Sequence, residues 1–577
     1  MMIIDLRILI TVCILLTATC IANCETSVSI PSNVEIRVMQ NASPTMLWAV
    51  DCVARELETF YGLSVVREIG VQKPFVDSAN SRVQILLVKQ EASPDFIKWC
   101  KKLNLKSTVG NSGSNSYRIT TLHNPLRVLI IGSDEIGAWY GACEWLNSLV
   151  VRTDKQVRMP LGEKTGAPAF DIRFARKYKP FVDTGSVKDA IPTMDWWARW
   201  RSNVTNMSFR PDSYTQKFLS EAHKRGIRVL ISMDVRNTCA SDDEAVAKLA
   251  DRFKHFLEIG GDGMLALWDD LPNKRCDGHC EACKKRFGAK GLPSEIVHIM
   301  EAFCDVAEKH PGKEYVIWCP SHYNYGRYKE LSDEDFFKVV GESAKIKSDT
   351  YMITTQCALD RVAFLDNFGI KQRIWWYNGM RSVYAILSRW KPPRSNRRLS
   401  IPNFKQFENA DFARFDSGEW MDVDIGDNDK IKWPTQDKWE NLRQAPERFQ
   451  GYYFCGPTHP YHAAVSGLYS FSPKKFRQEE ADELVFRAMF GSSSVKSARK
   501  WSDFYNELQV WLARNKNRPL SDEKRRQCVQ LMENWRKARA EVEASVALGH
   551  ILLPQDALKL AIEDMQKAEE TVNELLK

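Results

Sequence analysis

Between residues 168 and 475 the sequence alternates apolar runs with amphipathic helical stretches, and no other feature restricts the fold as strongly. The runs are FDIRFARKY, VTNMSFRP, IRVLISMDV, GMLALWDD, YVIWCPS, TYMITTQ, RIWWYNG and GYYFCGP. Between them lie WWARWRSN, TQKFLSEAHKRG, DEAVAKLADRFKHFLEIG, SEIVHIMEAFCDVAEKH, DEDFFKVVGESAKI, DRVAFLDNFG and WENLRQAPERF. Near-continuous apolar strands suit a parallel sheet covered on both faces, and parallel neighbours need a crossover, usually a helix. Eight such units without a glycine-rich phosphate turn predict a (β/α)8 TIM barrel rather than an open doubly wound sheet.

The flanks read differently. Residues 25–165 mix the short β-rich runs VEIRVMQ, RVQILLVKQ, SYRITTL and RVLIIGS with the helical stretches TMLWAVDCVARELETFYG and DEIGAWYGACEWLNSLV. That pattern predicts a small α+β domain, with a helix-start signal at Ser133-Asp134. Residues 476–577 are helical in pattern throughout and predict a C-terminal helical bundle, leaving 166–475 to the barrel. Residues 1–24 read as a secretory signal peptide: Arg7 precedes ILITVCILLTA, which is short for a bilayer span, and small and polar residues follow. The expected location is secreted or periplasmic. Thr19 and Asn23 are poor residues to precede a lipidated cysteine, which argues against an anchor at Cys20 or Cys24. No later run approaches the roughly 18 apolar residues of a membrane helix. A net charge of +8 over 577 residues falls well short of a nucleic-acid signature and suits an acidic partner such as a charged glycan.

In a TIM barrel, residues at the C-terminal strand ends face the active-site mouth. Those ends carry Arg176, Lys177 and Tyr178 on strand 1, Arg210 and Asp212 on strand 2, and Asp234 and Arg236 on strand 3. Strand 4 ends in Asp269 and Asp270, strand 5 in Ser321, His322 and Tyr323. Strand 7 carries Trp375, Trp376, Tyr377 and Asn378, and strand 8 Thr458 and His459. Carboxylates among aromatic platforms and amide or hydroxyl donors are what sugar chemistry needs. A neighbouring negative charge raises a carboxyl pKa, which keeps one acid protonated for a leaving oxygen. Ordinary retaining glycosidases place their carboxyls on opposite sides of the bond. Two consecutive aspartates on one strand better suit a substrate-assisted route, in which the sugar's 2-acetamido oxygen attacks, one carboxylate orients it and the other is acid and then base. The plain alternative for the pair is a helix cap at a solvated strand end.

GMLALWDDLPNKRC resembles the strand-4 Asp-Asp signature of glycoside hydrolase family 84, the O-GlcNAcases and bacterial hyaluronidase-like N-acetylglucosaminidases. WCPSHY resembles that family's Cys-Pro-Thr-Glu-Tyr motif on strand 5, and RIWWYNG its Trp-Asp-Asn motif on strand 7. RVLIIGSDEIGAWYGACEWLNSLV resembles the end of the N-terminal domain shared with family 20 hexosaminidases. The resemblance implies a glycan substrate and no cofactor. It implies that Asp269 orients the acetamido group, that Asp270 is the general acid/base, and that Tyr323, Trp376 and Asn378 line the sugar subsite, with His322 nearby. The sequence departs from the family in three places. RFARKYKP replaces the Glu-Gly-Phe-Tyr-Gly turn, NGMRSVY holds no carboxylate, and Gly456-Pro457 replaces Asn-Pro. These departures leave two alternatives open. One is a glycosidase on an acidic or sulfated sugar read by Arg176, Lys177 and Arg381; the other is a glycan-binding protein without turnover. The oligomeric state is not specified by the sequence.

Cys276, Cys280 and Cys283 stand with His279 in CDGHCEAC. Such spacing suits a tetrahedral metal, but the second ligand pair of a finger is missing nearby. In an exported chain the expected use is disulfide pairing, within the loop or to a distant cysteine, and no metal ligand is assigned. Cys143, Cys304, Cys319, Cys357 and Cys455 sit singly in apolar runs and read as small buried hydrophobes. The insertion at about 380–435 carries RWKPPRSNRRL, a basic segment suited to a polyanionic chain. Asn41, Asn203 and Asn206 stand in glycosylation sequons.

Overall fold

The protein is described from a computed structural model. The described residues run from 27 to 574, leaving aside 76–81, 91–93, 111–112, 124, 152–155, 176–185, 209, 269–279, 289–290, 313–314, 323–330, 355–358, 378–423, 426–430, 433–448, 455–459, 492–494, 501–520, 547–568 and 571–572. The chain divides into two compact units, Met1–Ala167 and Pro168–Lys577.

The first unit is built on a six-stranded sheet. Asn33–Met39, Arg82–Lys89 and Arg127–Gly132 form its parallel centre, with Ser64–Val71 at one edge and the antiparallel Tyr117–Leu122 and Gly162–Gly166 at the other. Central strands such as Arg127–Gly132 are buried along their whole length, as a sheet covered on both faces requires. Helices Pro44–Tyr61 and Glu135–Ser148 pack together on one face. Phe96 and Cys100 of helix Pro94–Lys102 join Leu86, Val88, Leu129 and Ile131 in a second apolar cluster. The expected helix start holds: the Asp134 side chain accepts the Gly137 N–H at 2.7 Å. Strand Ser64–Val71 did not stand out in the sequence because it is an exposed edge strand without an apolar face.

The second unit is a closed barrel of eight parallel strands in sequence order. They are Ile172–Phe174, Val204–Met207, Arg228–Asp234, Gly263–Leu267, Tyr315–Cys319, Thr350–Thr354, Arg373–Tyr377 and Gly451–Phe454, called barrel strands 1 to 8 below. Each falls inside one of the eight apolar runs. The interior is packed by Ile172, Phe174, Val204, Leu230, Leu265, Ile317, Cys319, Ile353 and Ile374, all at most 2% exposed. Barrel strand 8 pairs with both barrel strand 7 and barrel strand 1, with Gly451 opposite Ile374 and Ile172. A Cβ on Gly451 would stand 2.8 Å from the Ile172 Cβ and 3.1 Å from Ile374 Cγ1, so the closing position has room for no side chain.

The helices adjoining the barrel depart from expectation in two places. The first helix is Val187–Arg199, longer than WWARWRSN at its N-terminal side. It starts at Ser186, whose hydroxyl accepts the Lys188 N–H, and contains Pro192, which reads as a breaker although only one ladder bond is lost near the start. DEDFFKVVGESAKI is two helices, Asp333–Val340 and Ala344–Asp349, because Ser343 caps the second by accepting the Ile346 N–H. WENLRQAPERF lies mainly outside the described residues. Of the 380–435 insertion, the strands Asp424–Ile425 and Ile431–Lys432 are described, paired antiparallel.

Helix Pro460–Phe471 follows barrel strand 8 and locks onto the start of the barrel. The Phe471 carbonyl accepts the Ala169 N–H at 2.9 Å. Arg173, 1% exposed, donates from Nε to the Arg201 carbonyl at 2.8 Å and from Nη1 to the Phe170 carbonyl at 2.6 Å. The Arg173 and Arg201 guanidiniums both lie over the Phe471 ring. Helices Gln478–Phe490 and Asp522–Val546 then pack in succession beyond it. No described helix is long and apolar enough to cross a membrane. Asn203 is 2% exposed, its Oδ1 accepting the Arg173 N–H and its Nδ2 donating to the Asp171 carbonyl. Once the barrel has closed, this sequon offers no free amide.

Gly467 sits where helix Pro460–Phe471 crosses the end of the first barrel helix, and a Cβ there would lie 1.9 Å from the Trp200 carbonyl oxygen. Backbone against backbone cannot be relieved by a rotamer change. Gly467→Ala is expected to cost about 1–3 kcal/mol, the overpacking range. Denaturant unfolding of the two proteins checks this, and an unchanged midpoint would contradict the contact.

Candidate functional site

The C-terminal ends of barrel strands 3, 4 and 5 form one continuous rim. Leu267, the last residue of barrel strand 4, pairs with Asp234 on one side and Cys319 on the other. Trp268 extends the ladder by one bond, its N–H donating to the Cys319 carbonyl at 2.9 Å. The Trp268 ring is 3% exposed and meets the Trp318 ring edge-to-face at 6.4 Å. Trp318 Nε1 donates to Thr350 Oγ1 at 3.0 Å, and that hydroxyl donates to the Ile346 carbonyl at 2.7 Å. The backbone that enters Asp269 and Asp270 is therefore fixed through three consecutive strands.

Asp269 and Asp270 themselves lie outside the described residues, as do Arg176, Lys177, Tyr323, Asn378, Arg381, Thr458 and His459. The backbone of Trp376 belongs to barrel strand 7, while its side chain lies outside the described residues. Of the residues named for the sugar subsite, His322 is described in full. It stands just past barrel strand 5 and is 0% exposed, stacked on Phe336 at 4.1 Å. Nδ1 meets the Ser321 hydroxyl at 2.9 Å and Nε2 the Leu331 carbonyl at 3.3 Å. With both ring nitrogens engaged, His322 joins the end of barrel strand 5 to Leu331 and helix Asp333–Val340 and presents no edge to solvent.

The other rim carboxylates are accounted for. Asp234 takes two hydrogen bonds from the Arg236 guanidinium, Nε to Oδ1 at 2.8 Å and Nη2 to Oδ2 at 2.7 Å. That hydrogen bonding holds its carboxyl below the usual carboxylate range, so Asp234 is a standing anion and a poor proton donor. Asp212 begins a helix and pairs with His255 at 3.1 Å, and Arg210 lies over the Tyr214 ring. Deeper in the barrel, Asn206 of strand 2 donates to the Ser232 hydroxyl of strand 3.

A second polar feature of this rim was only half visible in the sequence. Cys239 lies in the turn after barrel strand 3, and Cys280 and Cys283 open helix Glu281–Phe287 after barrel strand 4. Cys239 Sγ is 3.7 Å from Cys280 Sγ and 3.5 Å from Cys283 Sγ. All three thiols are free, so the expected disulfide use of Cys280 and Cys283 is not what the structure shows; Cys276 lies outside the described residues. The Ser241 hydroxyl contacts Cys239 Sγ at 3.0 Å and Cys283 Sγ at 3.4 Å. Its hydrogen bond lowers the Cys239 thiol to about 7, whereas burial pushes the Cys283 thiol up to about 12. The two loops are tied again by Arg286, which donates to Asp243 Oδ1 at 2.6 Å and to the Ser241 carbonyl at 3.3 Å. Cys239 escaped the sequence reading because it stands 41 residues before Cys280 with no local cysteine partner. Cys143, Cys304 and Cys319 are buried, as single cysteines in apolar runs should be.

No family profile matches the sequence, and no curated protein matches it. Among solved structures, that of CpGH84B superposes with a TM-score of 0.53 at 10% identity, covering 95% of this chain and 94% of that one. That of CpGH84D superposes with a TM-score of 0.51 at 8% identity, covering 93% and 91%. At such identities the likeness speaks for the fold, and the fold it shows is that of a (β/α)8 barrel protein with further domains.

Proposed function

We propose that the chain is an exported glycoside hydrolase that cleaves N-acetylated hexosamine glycans with retention, using Asp269, Asp270 and the substrate's own 2-acetamido group. The observation that carries this reading is where barrel strand 4 stops. Its last paired residues are Leu267 and Trp268, held by the ladder to barrel strand 5, and the next two residues of the chain are the aspartates. The mouth at the C-terminal strand ends is where (β/α)8 enzymes do their chemistry. CpGH84B and CpGH84D, glycoside hydrolases by name, have this same fold over nearly their whole lengths, which supports the reading.

In this reaction the acetamido oxygen attacks C1 while the bond from C1 to the leaving oxygen breaks. Asp270 gives its proton to that oxygen, and Asp269 accepts the acetamido N–H and so aims the nucleophile. Water then attacks C1 from the face the leaving group left, giving its proton to Asp270, and the ring bond from C1 to the acetamido oxygen breaks. Two inversions give net retention. An adjacent carboxylate favours the protonated form of Asp270 before the first step.

A second reading is favoured by RFARKYKP and by the lack of a carboxylate in NGMRSVY. Arg176 and Lys177 would then read an acidic or sulfated sugar, cleaved by another route or merely bound.

On an aryl N-acetyl-β-glucosaminide, Asp270→Asn is expected to lower kcat by about 100-fold to 10,000-fold, the range of general acid/base catalysis. Asp269→Asn should lower it by about 100-fold, with both variants folded by circular dichroism. Wild-type rates in both would sink the proposal. NMR of the first-formed product should show the β-anomer. An inverted product, or glycan binding without cleavage by the wild type, would favour the second reading instead.

A further inference from the structure

We propose that Cys239, Cys280 and Cys283 form a zinc site that joins the loops following barrel strands 3 and 4. Three thiols meet here, with their Sγ atoms all within 4.8 Å of one another. A tetrahedral zinc with Zn–S bonds of about 2.3 Å sets its sulfurs about 3.8 Å apart. The observed separations from Cys239, 3.7 and 3.5 Å, are close to that edge. A disulfide needs about 2.05 Å and takes two sulfurs, leaving the third thiol in the same small space without a bond.

The surroundings are those of a ligand set as well. Cys280 and Cys283 form a Cys-x2-Cys turn in which Cys280 Sγ accepts the Cys283 N–H at 3.2 Å. Ser241 places its hydroxyl between Cys239 and Cys283. Hydrogen bonds to thiolate sulfur, such as that from the Cys283 N–H to Cys280 Sγ, orient metal ligands and offset their charge. Three thiolates around a dication leave a net negative charge, and Lys284, Lys285 and Arg286 follow directly in the same short helix. An all-thiolate set selects a soft or borderline metal and excludes magnesium and calcium; zinc, without redox chemistry, suits a role that is mechanical.

That role follows from the topology. The segment between barrel strand 4 and helix Glu281–Phe287 contains Asp269 and Asp270, and one of its ends is fixed by the Trp268 ladder. Zinc at Cys280 and Cys283 would fix the other end against Cys239, in the loop of the neighbouring strand. Unlike the glycosidase reading, this inference does not depend on any activity.

The test uses the full-length protein, purified under reducing conditions and reconstituted with zinc. About one zinc per chain is expected by elemental analysis. Cobalt in its place should give intense tetrahedral d–d bands and sulfur-to-cobalt charge transfer. Cys239→Ser and Cys283→Ser should each weaken zinc binding by at least about 100-fold. Cys304→Ser, which removes a buried thiol in helix Gly291–Glu308, should leave it unchanged. Should a Ser variant fail to fold, thiol labelling of the wild type decides: zinc should protect three cysteines, mapped to 239, 280 and 283, until a chelator is added. The proposal is overturned by a wild type that binds no zinc, by protection that omits Cys239, or by a mapped disulfide from Cys239 to Cys280 or Cys283.

Discussion

Closure of the barrel at Gly451 is the constraint on which the second unit depends. Barrel strand 8 must pair with barrel strand 7 and barrel strand 1 together, and it can do so only if the residue between Ile374 and Ile172 carries no side chain. An eight-stranded parallel sheet left open would expose the backbone edges of its first and last strands. Closing it sequesters those edges and completes the packed interior of Ile, Leu, Val and Phe side chains. The same junction is reinforced from outside, where Phe471 lies under Arg173 and Arg201 and Gly467 lets one helix backbone rest on another.

A closed barrel gives a rigid rim, and among the described residues side chains tie it together at barrel strands 3 to 6. Trp268, Trp318 and Thr350 connect strand 4 to strand 6 through an aromatic contact and a hydrogen bond. His322 stacks on Phe336 of helix Asp333–Val340, and Asp234 is neutralised by Arg236. These groups are committed to each other. On the proposed reading, chemistry at this rim falls to Asp269 and Asp270, which follow Trp268 directly in the chain. The cysteine cluster brings the turn after barrel strand 3 against the start of helix Glu281–Phe287, which follows barrel strand 4.

Much of the architecture was legible because it is local. Period-two and buried-run patterns report strands wherever both faces are covered, and the first six barrel strands are mostly buried along their length. The exceptions have local causes too. Pro192 masks a helix start, Ser343 splits a helix, and Ser64–Val71 has no apolar face to betray it. The site was legible in a narrower sense. WDD could be placed at a strand end from its run of apolar residues, whereas His322 looked like a sugar ligand beside Tyr323 and proves to be packed, since burial by Phe336 and Leu331 comes from a different segment.

By itself the sequence determined the fold class and the order of the strands, since both follow from side-chain periodicity over ten residues or so. Only the tertiary structure decided what meets across the ends of neighbouring strands. Cys239 reaches Cys280 and Cys283 across 41 and 44 residues, and Gly451 reaches Ile172 across the closing seam. Such contacts are set by the pairing of parallel strands whose intervening helices carry no record of the register, so no local pattern announces them.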